Sequence, residues 1–483
     1  MRPPLWHPPI ELSPLEKKVV SRIRRAKLFI FLPQVRHELF DAQFQMELAT
    51  LFKDSSMGFC PVSPAQLALA TILQAYTGVS DEEVIEALEM DRRWQLVLDC
   101  LDSEQPPFGK GTLVRFRAVL IAKQGDRRLL ERTVEMAKTK GGFSSSTLRA
   151  ALDSSPLWGA ARVEDTYNLL GHALRKALGL IARQQQRELA AVATEAGAEI
   201  VAGTSLKAAL DLDWDDPLAK AQALTTILQV LDEVESWGQQ LCDLDETTST
   251  KFQETLDVGR QVQIQDVEEA ADGSPKLRRG VAKDRRISIE DEEMRHGRKS
   301  RRLCFDGYKR HVLKDLDIGV VRAVGITLAN VPEASITEAI TADLQLQGVK
   351  LKELHIDRAY LSSTLVKERP EDLTLVCKAW PVRNGNHFDK SAFTLDWDTG
   401  LIHCPNQITV PFQVGKVVHF PADICTSCPL RDSEALLRSA DRCTDSRTGR
   451  SVSIHPDEKL LQELRERQQT PAGRCQLRER VGV

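Results

Sequence analysis

Residues 305–333 read FDGYKRHVLKDLDIGVVRAVGITLANVPE. Two strand-like runs, 305–315 and 320–329, flank a short LDIG segment at 316–319. Asp317 and Gly319 supply turn chemistry there, so the stretch is expected to be a β-hairpin. The segment PEASITEAITADLQLQ (332–347) then has helix character, and LKELHID (351–357) reads as a strand ending in Asp357. DLTLVCKAW (372–380) reads as another strand. Upstream, GGFSSSTLRAALD (141–153) leads to small residues, Pro156 and Gly159. That pattern predicts a buried strand delivering Asp153 at its C-terminal end.

The order strand–Asp, hairpin, helix, strand–Asp is that of a ribonuclease-H-like fold. In such a fold the two strands lie side by side, so Asp153 and Asp357 are expected to meet. Clustered carboxylates offer hard oxygen ligands to Mg²⁺, and metals held this way promote phosphodiester chemistry. An aspartate at a strand end is more often a turn or cap residue. It is the pair in this order that points to a site.

Outward from this core the chain changes character. In PVSPAQLALATILQAYTGVSDEEVIEAL (61–88), Ser63 and Pro64 mark a helix start and Gly78 a helix end. Ser80 and Glu83 form a capping-box pattern. Two helices joined by a tight turn are compatible with a helix-turn-helix DNA reader, and equally with many helical domains. Residues 164–245 are helical, with 3.6-residue spacing in LTTILQVLDEVESW (224–237). Glu164 and Asp165 are read as first-turn partners of a helix dipole.

The 483 residues carry a net charge of −4, with 42% hydrophobic and 28% charged residues, as expected for a globular protein. No run of about 18 apolar residues exists, so no membrane span is expected. The N-terminus has no apolar signal-peptide core, and a cytoplasmic, nucleoid-associated protein is expected. The average charge hides a local excess: residues 276–310 hold thirteen Lys/Arg against six Asp/Glu. Such a stripe binds phosphates or is a solvated linker.

LDSSPLWGAARVEDTYNLLGHALRKAL (152–178), the 305–333 hairpin and HIDRAYLSS (355–363) together resemble bacterial insertion-sequence transposases of the Asp-Asp-Glu type. VSPAQLALATILQAYTGVSDEEVIEALEMDRRWQLVLDCL (62–101) and PPFGKGTLVRFRAVL (106–120) resemble the helical N-terminal domain of one subgroup. The resemblance implies Asp153 and Asp357 as catalytic ligands of Mg²⁺ or Mn²⁺. It implies cleavage at transposon terminal inverted repeats, strand transfer into double-stranded target DNA, and a homodimer. The alternatives are a non-catalytic DNA-binding remnant or regulator, and an unrelated ribonuclease-H-like nuclease.

The expected architecture is an α/β catalytic core of ribonuclease-H-like topology. An all-α N-terminal domain (1–140), a candidate for DNA binding, precedes its first strand (141–163). A helical insertion and basic linker (164–300) separate that strand from the rest of the core (301–385). A cysteine-bearing β insertion (386–455) and a C-terminal helix (456–483), broken at Pro471–Gly473, complete the chain.

Lys309 or Arg310 is expected to contact a phosphate, and Arg298, Lys299, Arg301 and Arg302 to add DNA contacts. Tyr360 is expected to pack beneath the site, with base stacking as the alternative. Cys404, Cys425, Cys428 and Cys443 are candidates for a structural Zn²⁺ site, with His403 as a substitute ligand. Uncoordinated buried thiols remain open, and redox chemistry lacks the expected βαβ context.

The family's third carboxylate is a glutamate on the last core helix. It follows an aromatic residue, two residues, an arginine and three residues. Laid on the tail, Leu477 takes the aromatic place and Arg480 the arginine place, and the glutamate falls one place beyond Val483. Glu479 lies roughly 140° around the helix from that place and is a poor substitute. A truncated chain with little or no strand-transfer activity is therefore expected.

Overall fold

The computed structural model describes residues 2–53, 60–141, 147–241, 243–385, 387–431 and 442–479. It divides into two units, Met1–Ser145 and Ser146–Val483. Among the described residues no helix is long and apolar enough to cross a membrane.

The first unit is helical: α1 (Pro14–Arg22), α2 (Leu28–Leu39), α3 (Ala42–Ala49), α4 (Pro64–Thr77), α5 (Asp81–Met90), α6 (Arg92–Leu98), α7 (Lys110–Ala122) and α8 (Gly125–Gly141). Gly78 ends α4 at φ 72°, a left-handed conformation natural to glycine. Ser80 and Glu83 form the capping box that starts α5. Ser63 holds the N-cap position of α4 but its side chain makes no cap bond; Ser63 Oγ is buried without a partner among the described residues. At the centre of this unit Arg36 is fully buried. Its guanidinium donates to the Leu96 and Val97 carbonyls, at 2.6 and 3.2 Å, and pairs with Glu16 and Asp99. A cation is tolerated there because carbonyls at the C-terminus of α6 and two carboxylates surround it.

The second unit is built on one mixed sheet. β1 (Thr147–Trp158) leads into α9 (Thr166–Gln184), α10 (Leu189–Glu195), α11 (Leu206–Leu210), α12 (Pro217–Gly238) and α13 (Glu246–Asp266). These helices bury their own core around Leu170, Leu174, Ile227 and Leu231. Asp165 caps α9 by accepting the Asn168 N–H. Glu164 is not a first-turn residue as expected: it is buried and bonded to His172 Nδ1 at 2.9 Å, because α9 begins only at Thr166. A small hairpin, β2 (Val267–Glu269) and β3 (Pro275–Leu277), follows.

The chain then returns to the sheet with β4 (Arg295–Arg298), β5 (Cys304–Asp315), β6 (Val321–Leu328), α14 (Thr337–Leu346), β7 (Lys350–Ile356), α15 (Thr364–Lys367) and β8 (Thr374–Cys377). The stretch expected as insertion and linker thus ends in a sheet strand, β4. The order is β6–β5–β1–β7–β8, with β4 pairing the start of β5. β5 is antiparallel to β1 and β6; β7 is parallel to β1 and β8. Leu148, Leu152, Leu313, Leu354 and Ile356 join Ile340 and Leu344 of α14 in one apolar core.

β1 does not stop at Asp153, as the run of small residues suggested. It continues to Trp158, paired on that stretch with β5. Its parallel pairing with β7 ends at Leu152 opposite Ile356. Beyond that point, among the described residues, β1 has no strand neighbour on the β7 side, where Pro156 costs no ladder bond.

A smaller region carries β9 (Thr394–Asp396), β10 (Leu401–His403), β11 (Thr409–Pro411), β12 (Val417–His419), α16 (Ala422–Thr426) and β13 (Ser451–Ser453). α17 (Glu458–Gln469) packs Leu461 and Leu464 into the sheet core. α18 (Pro471–Glu479) follows after a break at Thr470. Pro471 opens the new helix rather than interrupting one, since its missing N–H is not needed there. Arg480 and Val481–Val483, on which the third-carboxylate reading turned, lie outside the described residues.

Candidate active site

Asp153 and Asp357 each follow one member of the last parallel pair, Leu152 and Ile356. Neighbouring strands lie about 4.8 Å apart, and residues in register share a face, so the two side chains leave the sheet on the same side. Both are half-buried. Asp153 Oδ1 accepts the Ser154 N–H at 2.8 Å, and Asp357 Oδ1 accepts the Arg358 N–H at 2.7 Å. Each carboxylate is therefore oriented by the backbone immediately after it.

On the opposite face of the sheet lies a chain of polar groups. Lys299 Nζ donates to Ser154 Oγ at 2.7 Å and to the Ser154 carbonyl at 2.8 Å. The Tyr360 hydroxyl lies 2.8 Å from His311 Nδ1, and the Ser154 side chain adjoins it. His311 Nε2 lies 3.0 Å from Thr327 Oγ1. Tyr360 and His311 are 0% exposed, so Tyr360 is a core residue and not a stacking surface. Burial, then the nearby Lys309 and Lys299, push the His311 pKa down to about 4. Burial pushes the Tyr360 pKa up.

Further back on the carboxylate face, Arg149 Nη2 lies 2.8 Å from both Glu353 and Glu479, and Nη1 2.8 Å from Asp317. His355 Nε2 is 2.6 Å from Glu353. Burial acts to raise the Glu353 pKa, but the bonds from His355 and Arg149 outweigh it and hold the carboxyl low. Among the described residues, Glu353, His355 and Glu479 are the three whose ligand atoms lie within 4.8 Å of one another. The Arg149 guanidinium already bridges both glutamates. Arg149 and Glu353 pair across the strands, four residues before Asp153 and Asp357, or about 13 Å along them. Glu479 is thus held well back from the two aspartates.

The basic candidates separate. Lys309 turns to the buried face, where its ammonium donates to the Val331 carbonyl at 2.7 Å, and burial lowers its pKa. It is not available to a phosphate: residues alternate along β5, and Lys309 falls in the series of His311 and Leu313. Arg310 is exposed and pairs opposite Ser155, on the Asp153 face. Lys299 is occupied by Ser154. Arg298, Arg301 and Arg302 are exposed around the β4–β5 turn, at the sheet end toward which β1 and β7 run. The stripe at 276–310 is not one continuous basic face. Arg285 pairs with Asp266, and Arg286 is buried on the Ser288 and Ile289 carbonyls.

In the first unit the segment from α2 to α7 contains the α4–α5 helix pair and the buried Arg36. A family model described as a transposase domain, DUF772, matches residues 30–119, the same segment. The match supports a transposase. No curated protein and no solved structure matches the chain.

Cys404, Cys425, Cys428 and Cys443 all line one cavity of about 20 Å³, and none is in a disulfide. Ile408 N–H points at Cys404 Sγ, 3.3 Å away. Burial, with the other three cysteines adding to it, pushes the Cys443 thiol up to about 11, Arg450 opposing. The four thiols are the soft donors that Zn²⁺ takes, but among the described residues no three of their sulfurs lie within 4.8 Å of one another, whereas bound Zn²⁺ would hold them about 3.8 Å apart. His403 bonds Thr409 Oγ1 at 2.8 Å and is not among the cavity residues. The sequence reading missed the Arg149 cluster. The signal available was Arg149 four residues before Asp153, matched by Glu353 four residues before Asp357.

Proposed function

We propose that residues 146–483 form a ribonuclease-H-like catalytic core and that the chain is a transposase of the Asp-Asp-Glu type acting on double-stranded DNA. One observation carries this reading: Asp153 and Asp357 leave the same sheet face just beyond the last parallel pair of β1 and β7, Leu152 and Ile356. The strand order and the transposase-domain match support it. The two aspartates would hold Mg²⁺ or Mn²⁺, for which half-buried carboxylate oxygens are suitable donors. Such an ion, when bound, supplies charge stabilisation at a phosphodiester and activates an attacking oxygen. The Ser154 and Arg358 N–H groups orient the carboxylates. Arg310, Arg298, Arg301 and Arg302 offer phosphate contacts at the same sheet end. The four cysteines are proposed as a structural Zn²⁺ site. Transposon ends, target DNA and a homodimer are the proposed partners.

A second reading is a DNA-binding regulator that does not cut. The engagement of Glu479 with Arg149, away from the aspartates, favours it.

The test is to incubate the full chain with DNA flanking its own coding sequence, with Mg²⁺ or Mn²⁺. Metal-dependent cleavage lost in Asp153→Ala and Asp357→Ala supports the transposase. Specific binding without cleavage, unchanged in Asp153→Ala, supports the regulator. Preference for RNA–DNA hybrid over these ends would replace both readings with a nuclease.

A further inference from the structure

Ser154 follows Asp153, and Tyr360 lies three residues after Asp357. Side chains alternate along β1, so Ser154 points away from the Asp153 face. There it meets Tyr360, whose backbone N–H also donates to the Asp357 carbonyl at 3.1 Å. Tyr360 thus stands between the two aspartate-bearing segments.

An ammonium only donates, so Lys299 gives a proton to Ser154 Oγ. The Tyr360 hydroxyl and His311 Nδ1 share one proton at 2.8 Å, and His311 Nε2 and Thr327 Oγ1 share another at 3.0 Å. His311 stands directly opposite Ser154 in the β1–β5 pairing, so the polar contacts run from the β4–β5 turn to β6. A neutral His311 agrees with its burial.

We propose that this polar spine of Lys299 with Ser154, packed beside Tyr360 with His311 and Thr327, sets the spacing of Asp153 and Asp357, with Tyr360 as the positioning residue. The proposal rests on the reading of the two aspartates as a metal-holding pair. Groups that orient metal ligands from behind commonly change metal affinity 10–100-fold when removed. Tyr360→Phe removes the hydroxyl that His311 Nδ1 bonds and that the Ser154 side chain adjoins.

The experiment measures Mn²⁺ binding to the full chain by calorimetry, alongside metal-free thermal melts. Tyr360→Phe is expected to weaken Mn²⁺ binding about tenfold or more. Ser154→Ala, which frees Lys299 from the spine, is expected to do the same, and the double variant to add little, since both cut the same spine. Leu344→Ala, a buried α14 change in the same sheet core, is expected to lower the melt but leave Mn²⁺ affinity alone. Unchanged affinity in a cooperatively folded Tyr360→Phe overturns the proposal, as do losses that multiply in the double variant. Should Tyr360→Phe not fold, Ser154→Ala decides by the same criterion. If Mn²⁺ binding instead survives Asp153→Asn with Asp357→Asn, the aspartate reading fails, and the spine's proposed role with it.

Discussion

His311 Nδ1 lies 2.8 Å from the Tyr360 hydroxyl, joining β5 to the turn that follows Asp357. The imidazole is 0% exposed, and burial, then Lys309 and Lys299, lower its pKa to about 4, with Asp153 opposing. In the unfolded chain a histidine titrates near 6.5. Between those values the unfolded state binds the extra proton, so stability is full above about pH 6.5 and falls as the pH drops toward 4. The upper limit is about 3 kcal/mol. Melts at pH 7.5 and 4.5 check this. His311→Gln should flatten the slope; an equal slope in the variant would assign it to other groups.

Arg36→Met should destabilise the first unit by about 3–5 kcal/mol, because Glu16 and Asp99 lose their buried ion-pair partner when the guanidinium goes. Denaturant unfolding, followed by a probe in that unit such as Trp94, measures it. A loss below about 1 kcal/mol would show that water replaces the guanidinium without penalty.

Asp153→Asn and Asp357→Asn should each weaken Mn²⁺ binding at least tenfold while leaving the melting temperature within a few degrees. The expectation follows from removing one ligand charge at a half-buried position. Calorimetry reads the first effect and circular dichroism the second.

Cys425→Ser should lower zinc content per chain and the thermal stability of the 387–455 region, if the four thiols close on Zn²⁺. Elemental analysis of protein purified without chelator is the direct measurement. A parent protein that carries no zinc after growth in zinc-supplemented medium counts against the site.

Gly307 has φ 144°, and an added Cβ would lie 2.3 Å from the Leu157 carbonyl and 2.4 Å from the Gly159 N. Backbone cannot yield there cheaply. Gly307→Ala should cost about 3 kcal/mol and loosen the far end of the β1–β5 pair. Hydrogen exchange at Trp158 and Tyr308 would register the loosening.

Much of the sheet was legible because its signals are local. The LDIG turn, the alternation in β5 and the helix after Pro332 each lie within a few residues of their cause. The true end of β1 was not legible, because Pro156 is tolerated only through the absence of β7 on that side. The inward turn of Lys309 was not either: alternation defines two faces, and only the tertiary contact with the Val331 carbonyl shows which is buried. Ser63 had the right place for a cap but not the bond. The four cysteines could be grouped by spacing, while their shared cavity depends on Phe420, Ile424 and Leu430 folding around them.

The parallel pairing of β1 with β7 has a consequence in time. It joins residues such as Arg149 and Glu353 that are 204 apart in the chain, with six α-helices among the described residues between them. Loop length adds little to the equilibrium cost of that closure, since the entropy grows only logarithmically. The search for such a distant partner is slow, however, and long-range parallel pairing comes late in folding. Asp153 and Asp357 become neighbours only when that last seam closes. A metal ion that needs both would then bind no partly folded form, so newly made chains would gain it only on completing the sheet.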